Sequence, residues 1–424
     1  MVTKRLLALS TVALVAVAAC APSADDDTTN ANGNGDTAAD ETGGTADDAD
    51  STGGAGGAGE EASETVEVGI VYSETGPLAS YGQQYREGLE AGIHHATDGT
   101  GVIDGKEISL TYRDDTGNPD TAVSIAKELI GQDVQILAGT VASGIALQMA
   151  EQAQQNEILY ISGPAAVDAI TGINEFTFRS GRQSLQDVAA AKAILDEQEG
   201  SNVVVFAQDN AFGQGNVAAV EAVLGAEGAT VSSVLVPEDA TEFTPFAAQL
   251  LESDADLIFV AWAGATAGSM WTSLEQQGVF DVAPVTTGLA DSATFAAYGP
   301  VADRISFLSH YFPGAPDNGV NEALVSLVED EGGTPDLFTP DGFVAGQMIA
   351  HAISEGEDVP GMIDALEGWT FDGPKGSYTI RESDHALVQD MYTAKLVDQD
   401  GTYVPELLNV VPGDEAAPPE AGGR

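Results

Sequence analysis

The chain has 424 residues, with 67 acidic against 14 basic side chains, a formal net charge of −53 and a single cysteine. Such a shortage of cations excludes a nucleic-acid-binding surface, which needs clustered Lys and Arg to neutralise phosphates. One cysteine excludes an intramolecular disulfide and a thiolate zinc cluster. Because only His94 and His95 among five histidines are neighbours, we expect neither a metal site nor a cofactor.

Most of the negative charge belongs to the part of the chain that has a globular composition. Residues 21–64 hold 12 acidic residues and no basic one, which leaves 55 acidic and 12 basic residues in 65–424. Counter-ions screen the repulsion within such a surface, so concentrated salt relieves it. We interpret the acidity as adaptation to a salty exterior; the alternative is a general bias towards solubility.

The N-terminus has the layout of a secretory signal. Lys4-Arg5 precedes an apolar run, Leu6 to Ala19, that is too short to span a bilayer and typical of a signal peptide. The run closes on Val17-Ala18-Ala19-Cys20, which resembles a bacterial lipobox, where the peptidase cuts before the cysteine and the thiol is lipidated. We therefore expect a signal peptide at 1–19 and a lipid anchor on Cys20 at the outer face of the membrane.

Two segments are predicted to be disordered. Residues 20–64 are rich in Asp, Gly, Ala and Thr and lack aromatic residues and a hydrophobic period, so burial cannot offset their chain entropy. Such a segment is a flexible, extended tether. Residues 413–424 are predicted to be a second frayed end, which leaves a folded body of about 66–412.

Within the body, short apolar strands alternate with helical stretches of 10–15 residues. This alternation predicts an α/β fold of parallel sheets with helices on both faces. The pattern runs twice, with a break near Phe178-Arg179-Ser180, so we expect two doubly wound lobes with a ligand crevice between them. The predicted strands are 65–72, 108–112, 134–138, 159–161, 203–206, 230–236, 257–262 and 285–287, and the first predicted helices are 81–96, 120–131 and 143–156.

An ordered set of short motifs runs through nearly the whole body. Together they resemble type I periplasmic binding proteins, and more narrowly the branched-chain amino-acid receptors of ABC importers. The resemblance implies two lobes joined by three crossovers, an N-terminal lobe of 66–180 plus 313–374 and a C-terminal lobe of 181–312 plus 375–412. The matching positions are Gly69-Ile70, Ser73 to Gly82, Arg113-Asp114-Asp115, Asn118-Pro119, Ala138-Gly139-Thr140, Ser143, Ile161 to Ala166, Phe178-Arg179, Asp209, Phe212 to Gly215 and Ala261 to Gly264.

Two strand ends in the first lobe are candidates for holding an anion. Gly139, Thr140 and Ser143 lie where a strand gives way to a helix, so backbone N–H groups and the helix dipole favour a ligand carboxylate. The alternative is that Ser143 only caps the helix. Gly163, Ala165 and Ala166 follow the next strand, where their backbone groups could hold an amino-acid head; the alternative is an ordinary Gly-Pro turn.

The resemblance implies further contacts from the second lobe. The family usually has a tyrosine at the position of Phe212, which keeps an apolar wall but lacks the hydroxyl. An acid near a later strand end pairs with the ligand's ammonium in the family, and Asp291 is the best match; the alternative is one more surface acid. Trp262, Tyr81 and Tyr311 are candidate pocket walls, although each could equally be structural packing.

Motifs that would indicate an enzyme are incomplete. The GxG fragment at Gly213 lacks a third glycine and a clear preceding strand, and neither a GxxxxGK[ST] loop nor a Gly-x-Ser-x-Gly elbow is present. We therefore predict a substrate-binding lipoprotein of an ABC importer that closes over a small amino acid, branched-chain or otherwise apolar, and delivers it to permease subunits. The alternatives are a same-fold sensor for amides, urea or aromatic acids, and a secreted α/β hydrolase.

Overall fold

The computed structural model describes residues 62–192 and 198–422. The predicted signal peptide, Cys20 and the tether up to residue 61 lie outside the described residues. The first strand begins at Glu64, within the predicted tether, and the Ser63 N–H donates to the Gly105 carbonyl at 2.8 Å.

The secondary structure alternates along the body as its hydrophobic pattern predicts. The strands are β1 Glu64–Tyr72, β2 Val102–Ile103, β3 Lys106–Asp114, β4 Ile136–Gly139, β5 Leu159–Ser162, β6 Thr177–Arg179, β7 Asn202–Gln208, β8 Thr230–Val236, β9 Leu257–Ala261, β10 Val285–Gly288, β11 Ile305–Ser309, β12 Thr370–Gly373, β13 Gly376–Ile380, β14 Leu387–Val388, β15 Met391–Gln399 and β16 Thr402–Val411. The α-helices are α1 Ala79–Ala96, α2 Pro119–Ile130, α3 Ser143–Asn156, α4 Ser184–Ala191, α5 Ala211–Val223, α6 Thr244–Leu251, α7 Ala267–Gln277, α8 Phe295–Tyr298, α9 Gly319–Asp330, α10 Thr339–Glu355, α11 Val359–Leu366 and α12 Gly413–Ala416.

Two sheets form two lobes, as the sequence predicts. Lobe one has the strand order β2-β3-β1-β4-β5-β6, parallel except for β2. Lobe two has the order β16-β15-β11-β10-β9-β7-β8, in which β15 and β16 form an antiparallel edge. In each lobe the chain order reverses beside the first strand, β1 or β7, and such a switch point leaves a crevice at the carboxyl ends of the strands.

The chain crosses between the lobes three times, at 180–183, 310–318 and 389–390. The third crossing comes later than predicted, because the small antiparallel sheet β12-β13-β14 belongs to lobe one. Phe371, Tyr378 and Leu387 from this sheet pack into the lobe-one core with residues of β1, β4 and α10. The boundary predicted at residue 374 is therefore wrong, and lobe one extends to Val388.

The C-terminal segment, residues 413–422, also differs from its prediction as a frayed end. It contains α12, and Ala416 is fully buried in the lobe-two core beside Val188 and Met391. Further on, the Arg381 guanidinium donates to the Pro418 carbonyl at 2.8 Å, and the Ala421 N–H donates to the Asp384 carboxylate at 2.9 Å. These specific contacts offset the chain entropy that composition alone leaves uncompensated.

Helices α1 and α10 pack against each other at glycines on both sides. A Cβ atom on Gly88 would lie 1.9 Å from the Thr339 carbonyl oxygen, and one on Gly92 would lie 2.2 Å from that of Phe343. From the other helix, a Cβ on Gly342 would lie 1.9 Å from the Tyr85 carbonyl oxygen. The two backbones thus approach more closely than any side chain would permit.

A group of buried ionisable residues lies where the lobes join. His310 Nε2, on the second crossing, is 3.8 Å from Asp341 Oδ1 of α10, and both residues are almost fully buried. Burial raises the pKa of Asp341 to about 7, partly countered by the charges of Arg182 and Lys375. Burial likewise lowers the pKa of Lys375 to about 7, against the attraction of Asp341 and Asp187.

Within the described part of the chain, none of the helices combines the length and apolarity needed to cross a membrane.

Candidate functional site

A cleft of about 500 Å³ lies between the lobes. Its walls include the loops after β1 and β4 in lobe one and those after β7, β9 and β10 in lobe two, so it joins the two switch points. The volume suits a small organic molecule, and most of the lining is apolar with a few convergent polar groups. Apolar lining residues include Pro77, Leu78, Val141, Leu289, Leu337 and Phe338.

The N-terminus of α3 is the polar end of the lobe-one wall. Ser143 is the first residue of the helix, it lines the cleft, and the preceding Ala142 provides no side-chain cap. The Ser143 hydroxyl accepts a hydrogen bond from the Val167 N–H at 3.3 Å, which leaves its own O–H to donate. The first N–H groups of a helix have no acceptor within it, and the dipole favours an anion there.

Gly139 and Thr140 support this end of the cleft without lining it. Gly139 has φ +106°, and a Cβ there would lie 1.9 Å from the Val71 carbonyl oxygen, so only glycine fits. Thr140 is fully buried, and its hydroxyl donates to the Ala142 carbonyl at 3.4 Å. Both residues shape the turn that aims α3 at the cleft.

Of the residues predicted after β5, Ala166 lines the cleft, whereas Gly163 and Ala165 do not. The carbonyls of this loop already have donors. The Ala165 carbonyl accepts from Arg179 at 2.8 Å, and the Ala166 carbonyl accepts from the Ser184 N–H at 2.9 Å. These two carbonyls therefore fix the loop to β6 and to the start of α4.

Aromatic side chains form much of the remaining wall. Tyr81 of lobe one lines the cleft and meets Phe338 edge to face, with ring centroids 4.7 Å apart. Trp262 lines it from lobe two, stacked on Phe206 at 5.5 Å, and its Nε1–H donates to Thr266 at 3.0 Å. Phe212, at the start of α5, lines the cleft as well.

Asp291 and Tyr311 are both buried, and neither lines the cleft. Asp291 is only 3% exposed, so the alternative reading of it as a surface acid is wrong; its carboxylate accepts from the Thr294 hydroxyl at 2.6 Å. Its neighbour Ala290 lines the cleft, but Asp291 does not. Tyr311 is buried in the lobe-one core and donates to Asn321 at 2.9 Å.

The sequence reasoning missed an ion pair in the cleft, Arg182 with Asp187. The two side chains are 3.3 Å apart, and each is about nine-tenths buried. The Arg182 guanidinium also donates to the Pro164 carbonyl at 3.0 Å and lies 5.5 Å from the centre of the Phe338 ring. Burial raises the pKa of Asp187, against the opposing charge of Arg182. Arg182 follows the Phe178-Arg179 motif by three residues, the only sequence signal that could have drawn attention to it.

The other acid that lines the cleft is Glu238, which is exposed and accepts from the Asn210 amide at 3.1 Å. Asn210 also caps α5, since its side chain accepts from the Gly213 N–H at 3.0 Å. Both acids that line the cleft therefore already have a partner within the described part of the chain.

Comparison with known proteins assigns the family. A family model described as periplasmic binding protein matches residues 65–402, which include the main strands of both lobes. The chain belongs to the periplasmic binding protein family. A solved structure of an ABC-type branched-chain amino acid transporter from Rhodopseudomonas palustris is 31% identical to this periplasmic binding protein, with a TM-score of 0.70, and the match covers 84% of this chain and 99% of that one.

Curated relatives fall in the branched-chain amino-acid receptor subfamily. Leu/Ile/Val-binding protein homolog 1 of Brucella suis is 27% identical over 292 residues, 68% of this chain and 77% of the relative. The match to the Leu/Ile/Val-binding protein BraC3 of Rhizobium johnstonii is 26% identical but spans only about half of that protein, 53%. A solute-binding protein from R. palustris in complex with 4-hydroxybenzoate shares the fold, with 22% identity, a TM-score of 0.75 and coverage of 82% of this chain and 97% of that one.

Proposed function

We propose that this periplasmic binding protein is the extracytoplasmic substrate-binding lipoprotein of an ABC importer and that it binds a small amino acid with a branched or apolar side chain. The observation that carries the proposal is the N-terminus of α3, which presents Ser143 to an apolar cleft between two lobes. A carboxylate is the guest that unpaired N–H groups and a positive helix end favour.

The walls suit the other end of such a ligand. Tyr81, Phe212 and Trp262 offer apolar area around a cleft of about 500 Å³, and burial of apolar surface there would supply most of the affinity. Gly139, Thr140, Gly163 and Ala165 would act indirectly, by shaping the loops that carry the cleft residues. The names of the curated Leu/Ile/Val-binding relatives support the same ligand class.

Delivery would follow from closure of the lobes. Hinged domains that close on a ligand change the surface they present to a partner, and that partner would be the permease in the membrane. The predicted lipid on Cys20 would keep the receptor near it. The protein would thus act as a receptor rather than an enzyme.

A second ligand class, aromatic carboxylic acids, is favoured by the position of Asp291. In an amino-acid receptor this residue would meet the ammonium, but Asp291 does not line the cleft, and the two acids that do line it are already partnered. An unpaired ammonium in an apolar cleft is costly. The bound 4-hydroxybenzoate of the R. palustris structure shows that this fold can hold such an acid.

Calorimetric titration of the full chain tests the function and separates the two ligand classes. The panel is leucine, leucinamide without the carboxylate, 4-methylpentanoate without the ammonium, and 4-hydroxybenzoate. We expect leucinamide to be inactive in either case; tight binding of leucine but not of 4-methylpentanoate indicates an amino-acid receptor, and the reverse order an acid receptor.

A pair of serine variants checks the carboxylate site. Ser143→Ala should weaken the Kd of the bound acid about tenfold, the loss expected for one hydrogen bond to a charged group, while Ser124→Ala, at an exposed position of α2, should not change it. Absence of heat with every carboxylate would refute the ligand assignment.

A further inference from the structure

The side chain of Asp336 makes one of the direct hydrogen-bonded contacts between the two lobes outside the three crossings. Asp336 lies in the loop between α9 and α10 of lobe one, and Ser292 follows β10 of lobe two. Oδ2 of Asp336 accepts from the Ser292 N–H at 2.9 Å and from the Ser292 hydroxyl at 2.6 Å. A single carboxylate oxygen of one lobe thus holds two donors of the other.

The Asp336 carboxylate is held in position within its own lobe. Its second oxygen, Oδ1, accepts from the Leu337 N–H at 2.8 Å, and the Asp336 N–H donates to the Thr339 hydroxyl at 2.9 Å. Asp336 is only 8% exposed. A carboxylate that is fixed beforehand loses little side-chain entropy when it forms a further bond, and bonds to a charged acceptor are stronger than neutral ones.

The surroundings show that this contact forms when the lobes are close together. Leu337, next to Asp336, lines the cleft with Tyr81 of the same lobe, and Ala290, close to Ser292, lines it from the other. Nearby, a Cβ on Gly264 of lobe two would lie 3.0 Å from the Pro77 carbonyl oxygen of lobe one. A hinge rotation that separates the lobes must break both bonds between Asp336 and Ser292.

We propose that Asp336 and Ser292 form a clasp that stabilises the closed lobes and so sets ligand affinity and residence time. This inference rests on the proposed function as a receptor that closes on its solute. The clasp residues are positioning residues that do not line the cleft. They stabilise the closed lobes, and because the apparent Kd is the intrinsic Kd divided by the fraction of protein in the binding-competent state, a larger closed fraction tightens binding by the same factor.

The test compares Ser292→Ala, Asp336→Ala and the double variant in the full chain, with Asp317→Ala, an exposed acid on the second crossing, as the matched control. Binding and release of leucine and 4-hydroxybenzoate are measured by stopped-flow fluorescence. We expect Asp336→Ala, which removes the acceptor of both bonds, to weaken Kd about tenfold through faster release at an unchanged association rate. Ser292→Ala keeps the bond from the Ser292 N–H and should weaken Kd less. The double variant should lose no more than the larger single loss, because both changes break one interaction.

Hydrogen exchange at the Ser292 amide reads the clasp without relying on affinity. In Asp336→Ala this amide should exchange at least tenfold faster than in the parent protein, both with and without leucine or 4-hydroxybenzoate, while the amides of β10 exchange at the parent rate. The melting temperature of Ser292→Ala should equal that of the parent protein. Equal exchange in both proteins, or losses in Kd that multiply in the double variant, would overturn the clasp. If neither leucine nor 4-hydroxybenzoate binds the parent protein or any variant, the proposed function is wrong, and the exchange comparison still shows whether Asp336 protects the Ser292 amide.

Discussion

Asp341 and Lys375 combine full burial with titration near neutral pH, and they lie where the lobes join. For each, loss of solvation is the largest influence on the pKa, which is about 7 for both groups. His310 shares their surroundings, and burial lowers its pKa well below the usual value. A change of lobe arrangement that admitted water would shift all three equilibria.

We predict that Asp341→Asn changes how stability depends on pH. The folded pKa of Asp341, about 7, is above its unfolded value of 3.8, so its protonation stabilises the fold fully below pH 3.8, and this contribution is lost as the pH rises through 7. Asparagine cannot lose that proton. From pH 5 to pH 8, urea unfolding should show the variant gaining at least about 1 kcal/mol relative to the parent, given about 1.4 kcal/mol per pKa unit.

The exposed Asp317 provides the control for this pH experiment. Asp317→Asn removes the same formal charge outside the buried group, so its unfolding free energy should run parallel to that of the parent. A parallel profile for Asp341→Asn as well would mean that Asp341 is ionised throughout the range.

At the scale of elements, the close packing of α1 against α10 depends on glycines, which have no Cβ atom. Gly88 and Gly92 face backbone carbonyls of α10, and Gly342 faces one of α1. Helix propensity alone would favour alanine at these positions by about 1 kcal/mol. Packing overrides propensity here because backbone atoms cannot move aside as the end of a side chain can.

We predict that Gly92→Ala lowers the free energy of unfolding by about 2 kcal/mol or more, because its Cβ would lie 2.2 Å from the Phe343 carbonyl oxygen and overpacking of this kind costs about 1–3 kcal/mol. Gly319→Ala, at the first position of α9 with no atom within 4 Å of the added Cβ, is the matched control and should be neutral or slightly stabilising. Chemical denaturation measures both. An unchanged Gly92→Ala would show that the helices separate at little cost.

Local pattern predicts the elements whose burial repeats regularly. The limits of α3 and β8 agree with the sequence prediction, and those of β1, α1 and β7 differ by a few residues. Strand β16 was not predicted because none of its residues is buried: it is an edge strand, so alternation with a core face is missing from its sequence. The small sheet β12–β14 was missed because its strands are short and depend on packing against lobe one.

The residues of the candidate site also differ in whether the sequence could suggest them. Ser143 could be proposed because it stands at a strand-to-helix transition, which the local pattern reveals, whereas Phe212 could be proposed only from the family resemblance. Arg182 and Asp187 could not, since two charged residues in an acidic chain read as solvated surface until tertiary structure buries them together. Asp291 illustrates the limit of prediction from a motif, because its carboxylate accepts from the Thr294 hydroxyl and does not line the cleft.

At the scale of the whole molecule, the charge balance predicts a response to salt. The 12 basic residues of 65–424 cannot pair with 55 acidic ones, so most carboxylates repel one another through solvent. Raising KCl from 0.01 M to 1 M shortens the screening length from about 30 Å to about 3 Å.

We predict that the melting temperature rises by at least about 5 °C over this KCl range, equivalent to roughly 4 kcal/mol for a chain of this size. Differential scanning calorimetry measures it. The same titration at pH 4.5, close to the isoelectric point of about 4.1, is the control and should show a much smaller rise, since many carboxylates are then protonated. An unchanged melting temperature at pH 7.5 would favour the solubility interpretation.

The two ends of the chain are not equivalent as attachment points for a biosensor. The C-terminal segment leaves the lobe-two core at Ala416 and reaches Asp384 of lobe one within five residues, so it connects the lobes a fourth time. A fluorescent domain or a surface linkage fused after Arg424 would disturb the contact between the C-terminal segment and lobe one, and with it the lobe movement that the sensor is meant to report. Fusion before residue 62 would leave that contact undisturbed.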